Sequence, residues 1–158
     1  MAMNIEVVVA TQSDRDVLAR LLEFNAHDFS RFDGRHITTD GTFGYPYLDL
    51  YWEPSENRHP FLILVDGRIA GCVLVRAGDP HQMAEFFVLN GFRRRGVGRT
   101  AAHRVLGMFP GAWEIEQWSA NVEAGAFWVV TLDSLASAVD RQVDESEMSV
   151  FHRCVVRP

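Results

Sequence analysis

The chain has 158 residues, 47% hydrophobic and 23% charged, with a net charge of −6 at pH 7. That is enough for one domain, residues 1–158, with a real core, and the acidic balance excludes general affinity for nucleic acid, which rests on neutralising phosphates. All 15 basic residues are arginine, which excludes chemistry that needs a lysine, such as a Schiff base or a phosphate-loop lysine.

Residues 5–10 are Val-rich and read as a short strand. Ser13 is a candidate N-cap, and Val17, Leu18, Leu21, Leu22 and Phe24 recur at helical spacing over about 14–30. Residues 32–60 change character: glycines, prolines, Tyr45, Tyr47, Tyr51 and Trp52 crowd an irregular segment with one short helix near 47–52. Loops of this length inside a compact domain are often binding loops. Two strands, 61–65 and 68–76, flank the hairpin dipeptide Asp66-Gly67. A third, 81–89, follows the turn Gly78-Asp79-Pro80. His81 and Glu85 then fall on one face of that strand by simple alternation.

A loop with three arginines and two glycines follows, and a helix starts at once, with Val97, Ala101, Val105 and Met108 on one face. Phe109-Pro110-Gly111 ends it. Residues 113–119 form a strand, Asn121 opens a helix, and 136–143 and 149–156 are two last strands around an acidic turn at Asp144-Glu145. The order is β-α-loop-β-β-β-α-β-α-β-β. It predicts an α/β (α+β) fold: a mixed, mostly antiparallel sheet of about seven strands with helices on both faces.

Cys72 and Cys154 lie in apolar runs and are expected to be free, packed thiols. No His, Cys, Asp or Glu cluster has metal-ligand spacing, so no metal is expected. Residues 1–10 lack the basic and long apolar regions of a signal peptide, and no apolar run reaches membrane-spanning length. The expectations are a cytoplasmic address and no membrane partner. The acidic charge favours a cationic or neutral partner, and pairing of the apolar C-terminal strands leaves a homodimer open.

The loop Arg93-Arg94-Arg95-Gly96-Val97-Gly98-Arg99 carries the strongest signal. A helix start presents unpaired N–H groups and partial positive charge, and glycine lets a bulky anion approach. A Rossmann fingerprint fits Gly96, Gly98 and Ala101 less well, because six residues (90–95) separate the strand from the first glycine.

Two motifs in order resemble the GNAT superfamily of N-acetyltransferases. Arg93 to Gly98 match [Q/R]-x-x-G-x-[G/A] between a strand and a helix, and Asn121 to Trp128 match N-x-x-A-x-x-[F/Y/L]-[Y/F] one strand later. The resemblance implies that the amides and side chains around Arg93, Arg94, Arg95, Gly96, Val97, Gly98 and Arg99 hold the pyrophosphate of acetyl-CoA. It implies that pantetheine pairs with backbone at Val88 and Leu89 in a splayed sheet, with Asn121, Phe127 and Trp128 beside it. Glu85 is then the candidate general base for an amine acceptor, small molecule or peptide, and Tyr45, Tyr47 and Tyr51 the candidate acceptor wall. Trp128 departs from the tyrosine that many members use to protonate the thiolate; an indole N–H is no usable acid. The alternative is a non-catalytic CoA-binding regulatory or sensor domain.

Overall fold

The computed structural model describes residues 2–158. Seven strands form one sheet: β1 (Ile5–Val9), β2 (Arg58–Val65), β3 (Arg68–Arg76), β4 (His81–Val88), β5 (Gly111–Trp118), β6 (Ala138–Glu145) and β7 (Ser149–Val156). Their order is β1-β2-β3-β4-β5-β7-β6, and every neighbouring pair is antiparallel except β4–β5. Three helices cover it: α1 (Arg15–Asp33), α2 (Val97–Met108) and α3 (Val122–Asp133). Leu18, Leu21 and Leu22 of α1 pack with Leu62, Cys72, Leu74 and Phe87 on one face. On the other, Ala101, Val105 and Leu106 of α2 and Trp128 and Leu132 of α3 pack with Ile63, Val73, Trp113 and Ile115. Each face thus receives one side-chain parity of the strands, which is what alternation demands of a sheet covered on both sides. No helix among the described residues is long and apolar enough to cross a membrane.

Local chemistry explains most boundaries. Asp66 and Gly67 both have positive φ (50° and 75°), the requirement of the tight hairpin turn that joins β2 to β3. Gly34, at φ 66°, caps α1 and donates its N–H to Ser30 O. Four expectations need correction. Ser13 lies inside a 3-10 turn capped by Thr11, whose N–H is held by Asp14 Oδ2 at 2.8 Å, and Asp14 is the N-cap of α1. Strand β2 begins at Arg58, because Pro60 sits where its missing N–H breaks nothing and its carbonyl still accepts from Ala10. Met108 is 47% exposed, and the inner stripe of α2 runs through Ala102 and Leu106 instead. Asp144 and Glu145 belong to β6, paired with Phe151 and Val150, so the turn falls at 146–148.

Two irregularities in β4 shape the site. Its pairing with β5 is confined to His81↔Trp113 and Gln82↔Glu114, after which the strands diverge. On its other edge, Leu74 and Val75 face Glu85 and Met83, leaving Ala84 as an extra residue. Such a bulge reverses the parity of everything after it. Met83 therefore packs with the α2–α3 core, whereas Glu85 reaches α1. This overturns the shared face expected for His81 and Glu85. His81 turns the other way: Nδ1 accepts from Gly78 N–H, Nε2 meets Pro110 O, and the ring packs on Phe109 and Trp113.

Candidate active site

The divergence of β4 and β5 opens a cleft of about 1110 Å³. At one end lies the arginine-glycine loop. After a 3-10 turn at Asn90–Phe92, Arg94 adopts φ 57° and Gly96 φ 79°. The consecutive N–H groups of Arg94 through Arg99 donate to no acceptor among the described residues; the first helical bond is Thr100 N–H to Gly96 O. Successive free amides in such a turn, followed by a helix start, form an anion-binding concavity. The two glycines serve different ends. A Cβ on Gly96 would meet nothing within 4 Å, so the residue is required by its left-handed φ. A Cβ on Gly98 would stand 3.2 Å from the Phe127 ring, so that glycine lets α2 start against α3.

The arginines divide as well. Arg93 Nε donates to Val88 O at 2.7 Å, Nη2 pairs with Asp28 at 2.5 Å, and the guanidinium lies over the Phe87 ring. It ties the end of β4 to α1, a role the sequence did not indicate. Arg94 and Arg99 line the cleft and form no ion pair among the described residues, while Arg95 is exposed away from its wall.

Along the middle of the cleft, Phe86, Phe127 and Trp128 pack edge-to-face and tilted, with centroids 4.9–5.6 Å apart. Trp128 is buried and offers the cleft an apolar ring with no hydroxyl. Asn121 caps α3, its Oδ1 accepting from Ala124 N–H at 3.2 Å. Its own carbonyl takes a hydrogen bond from Gln117 Nε2, and Gln117 Oε1 faces His152 Nε2 at 3.0 Å, a buried polar pair under the cleft floor. A Cβ on Gly125 would collide with Gln117 Nε2 at 2.6 Å, which explains the glycine inside α3. Val88 lines the cleft. Leu89 does not: its N–H is spent on Ala70 O and its side chain packs toward α1.

At the far end stands Glu85. Its Oε2 accepts from Nδ2 of the buried Asn25 at 2.8 Å. Burial pushes its carboxyl up to about 7, against the restraint of the Asn25 hydrogen bond and of Arg35 and Arg76. Tyr45 lines the same region, and burial, reinforced by Glu85, pushes its hydroxyl well above the ordinary phenol range. Tyr51 is buried in the α1 core, and its hydroxyl is raised by burial too. Tyr47 is 54% exposed and borders a side pocket. The irregular segment is held in place by Glu23 of α1, whose carboxylate takes the N–H groups of Phe43 and Gly44 at 2.8 Å each.

The family model for the acetyltransferase (GNAT) family matches residues 25–128, two thirds of the chain and both motifs' segment. The chain belongs to the GNAT family of acetyltransferases. Its class of activity is therefore acyl transfer. No curated protein matches it by sequence. Solved structures carry the fold likeness over nearly the whole length. An acetyltransferase from Thermus thermophilus is 14% identical, with a TM-score of 0.71 over 95% of this chain and 96% of that one. Ard1 from Thermoplasma volcanium is 17% identical, with a TM-score of 0.62 over 100% of each chain. Spermidine N-acetyltransferase from Vibrio cholerae, solved in complex with CoA and spermine, is 13% identical, with a TM-score of 0.65 over 97% and 95%.

In this acetyltransferase the cleft joins Glu85, Val88, Arg93, Arg94, Gly96 and Gly98 with Arg99, Asn121, Phe127, Trp128 and Tyr45. Leu89, Arg95, Val97, Tyr47 and Tyr51 lie outside its wall; Val97 is buried beneath the loop, where only its N–H is free. Sequence reasoning missed Asn25, Arg35, Arg58 and Arg76. Asn25 did leave a signal. It continues the buried stripe Leu18-Leu21-Leu22-Asn25, and an amide in an apolar stripe needs a partner. The arginines left none, because surface arginine is the common case.

Proposed function

We propose that this acetyltransferase domain moves an acetyl group from acetyl-CoA to a primary amine by direct attack within a ternary complex. The observation that carries this is a single cleft with a run of free amides at one end and a buried carboxylate at the other. The residues present suit the carrier: amides 94–99 receive the pyrophosphate, Arg94 and Arg99 face its other phosphates, and the edge of β4 that β5 leaves beyond Gln82 receives pantetheine as an added strand.

Glu85, directly or through water, takes the proton that the ammonium must lose. An alkylamine has a pKa of about 10.4, so the protonated form dominates at neutral pH. A carboxyl at about 7 is a better base than an ordinary one and is still half ionised at pH 7. The nitrogen then forms its bond to the acetyl carbon as the carbon–sulfur bond breaks. As the amide forms, the nitrogen gives up its second proton to water, and CoA leaves as thiolate, because its pKa of about 8.5 makes protonation unnecessary. Trp128 supplies no acid, and a proton from the raised Tyr45 hydroxyl would move uphill.

The test is thiol release from acetyl-CoA across a panel of amines, with acetyl-CoA binding measured separately. Turnover with at least one amine is expected. Tight binding without turnover for any of them favours the sensor reading instead.

A further inference from the structure

The acceptor end of the cleft is cationic, although the protein carries a net charge of −6. Arg58 and Arg76 are direct partners across β2–β3. Alternation sends both to the α1 face, since Leu62 and Leu74 of the same parities pack there. Like charges placed directly opposite on neighbouring strands repel. Arg58 is balanced by Glu56 at 3.3 Å and lies over the Tyr47 and Tyr51 rings. Arg76 is exposed and forms no ion pair among the described residues.

The two guanidiniums share a side pocket of about 330 Å³ with Tyr45, Tyr47, Ala84 and Glu85. Register fixes their relation to the carboxylate. Leu74 faces Glu85, and Arg76 follows two residues along on the same face. Arg31 and Arg35 line the adjoining wall; Asp33 holds Arg35, while Arg31 rests on the Phe32 ring without an acid. One carboxylate therefore faces an excess of guanidinium groups, arranged beside the point where an amine must be deprotonated. Guanidinium pairs bind carboxylates in a defined geometry. A second ammonium, as in a polyamine, would enter this pocket against repulsion.

We propose that the acceptor is an amine that also bears a carboxylate, an amino-acid-like zwitterion, with Arg76 and Arg58 holding the carboxylate while the amine lies at Glu85. This rests on the transferase reading above and names its substrate class. The step is unchanged: one ammonium proton passes to Glu85, nitrogen takes the acetyl carbon as the carbon–sulfur bond breaks, the second nitrogen proton goes to water, and CoA leaves as thiolate.

The experiment measures kcat and KM for the proteinogenic amino acids, the carboxamides of the best of them, and spermidine, at saturating acetyl-CoA. The best amino acid should exceed its carboxamide by about tenfold or more in kcat/KM, mostly through KM. In Arg76→Gln that ratio should fall to about threefold or less. The ratio cancels any loss of folded enzyme, and Arg58→Gln serves if Arg76→Gln does not fold. A wild-type preference for the carboxamide or for spermidine, or a ratio untouched by either substitution, overturns the proposal. If no amine releases thiol, the transferase reading has failed, and calorimetry on the CoA-saturated protein decides the pocket. Tighter binding of the N-acetyl amino acid than of its carboxamide supports the proposal, and equal or absent binding overturns it.

Discussion

The two ends of the cleft are built from different material. The α2 end is main chain: consecutive amides of 94–99, set by positive φ at Arg94 and Gly96. The Glu85 end is side chain, gathered from α1, the 34–60 segment, β2, β3 and β4. A main-chain site is specified within a few residues and tolerates change in the side chains around it. A side-chain site depends on which residues strand register and bulges bring together. The first suits a carrier common to many reactions, and the second suits an acceptor that differs between enzymes.

If the ends are separable, substitutions should break one without the other. The largest effect is expected at Glu85. Glu85→Gln should lower kcat/KM by about 10²–10⁴-fold, with the acetyl-CoA dissociation constant within about twofold of wild type by calorimetry. The wild-type pH profile should rise to a plateau through about pH 7, as the carboxyl ionises, and the variant should lack that limb. Linkage gives a second sign. The folded pKa of Glu85 is raised, so its favourable contribution is complete below the unfolded value and is lost as pH rises through about 7. Glu85→Gln should thus be more stable than wild type at pH 8, by an amount on the order of 1–3 kcal/mol. A loss of stability there would contradict the buried-carboxylate account.

Trp128→Ala should cost about 3–5 kcal/mol in denaturant unfolding, because it removes a buried ring packed on Phe86 and Phe127. Gly96→Val should cost about 1–3 kcal/mol of backbone strain at φ 79° and weaken acetyl-CoA binding about tenfold or more, with the pH limb left in place. The smallest effect sharpens the acceptor end. Asn25→Ala removes the donor that stabilises ionised Glu85, so the limb should move upward by about half a unit to one unit. A downward shift would mean that Asn25 does not act on that carboxylate.

The same division explains what the sequence made legible. The element order, the Asp66-Gly67 hairpin, the cap at Asn121 and the arginine-glycine loop are local patterns, and all appear where the residues indicated. The partnership of Glu85 with Asn25 was not legible, because 60 residues separate them and an unforeseen bulge at Ala84 turns Glu85 toward α1. The same bulge separates His81 from Glu85. Nor could spacing tell Arg93, which braces β4 against α1, from Arg94 and Arg99, which face the cleft. Whole-chain charge pointed to a cationic or neutral partner, yet charge is a surface sum, and the pocket beside Glu85 is lined by Arg58 and Arg76.

The claim on which everything else rests is that amides 94–99 grip the diphosphate of the carrier. Titrating the protein with acetyl-CoA and with acetyl-pantetheine, which lacks the diphosphate, tests it directly by calorimetry. We predict one site per chain for acetyl-CoA, with a dissociation constant of about 1–100 μM, and binding of acetyl-pantetheine weaker by about 100-fold or more. Equal affinity for the two, or no heat with acetyl-CoA, would contradict it.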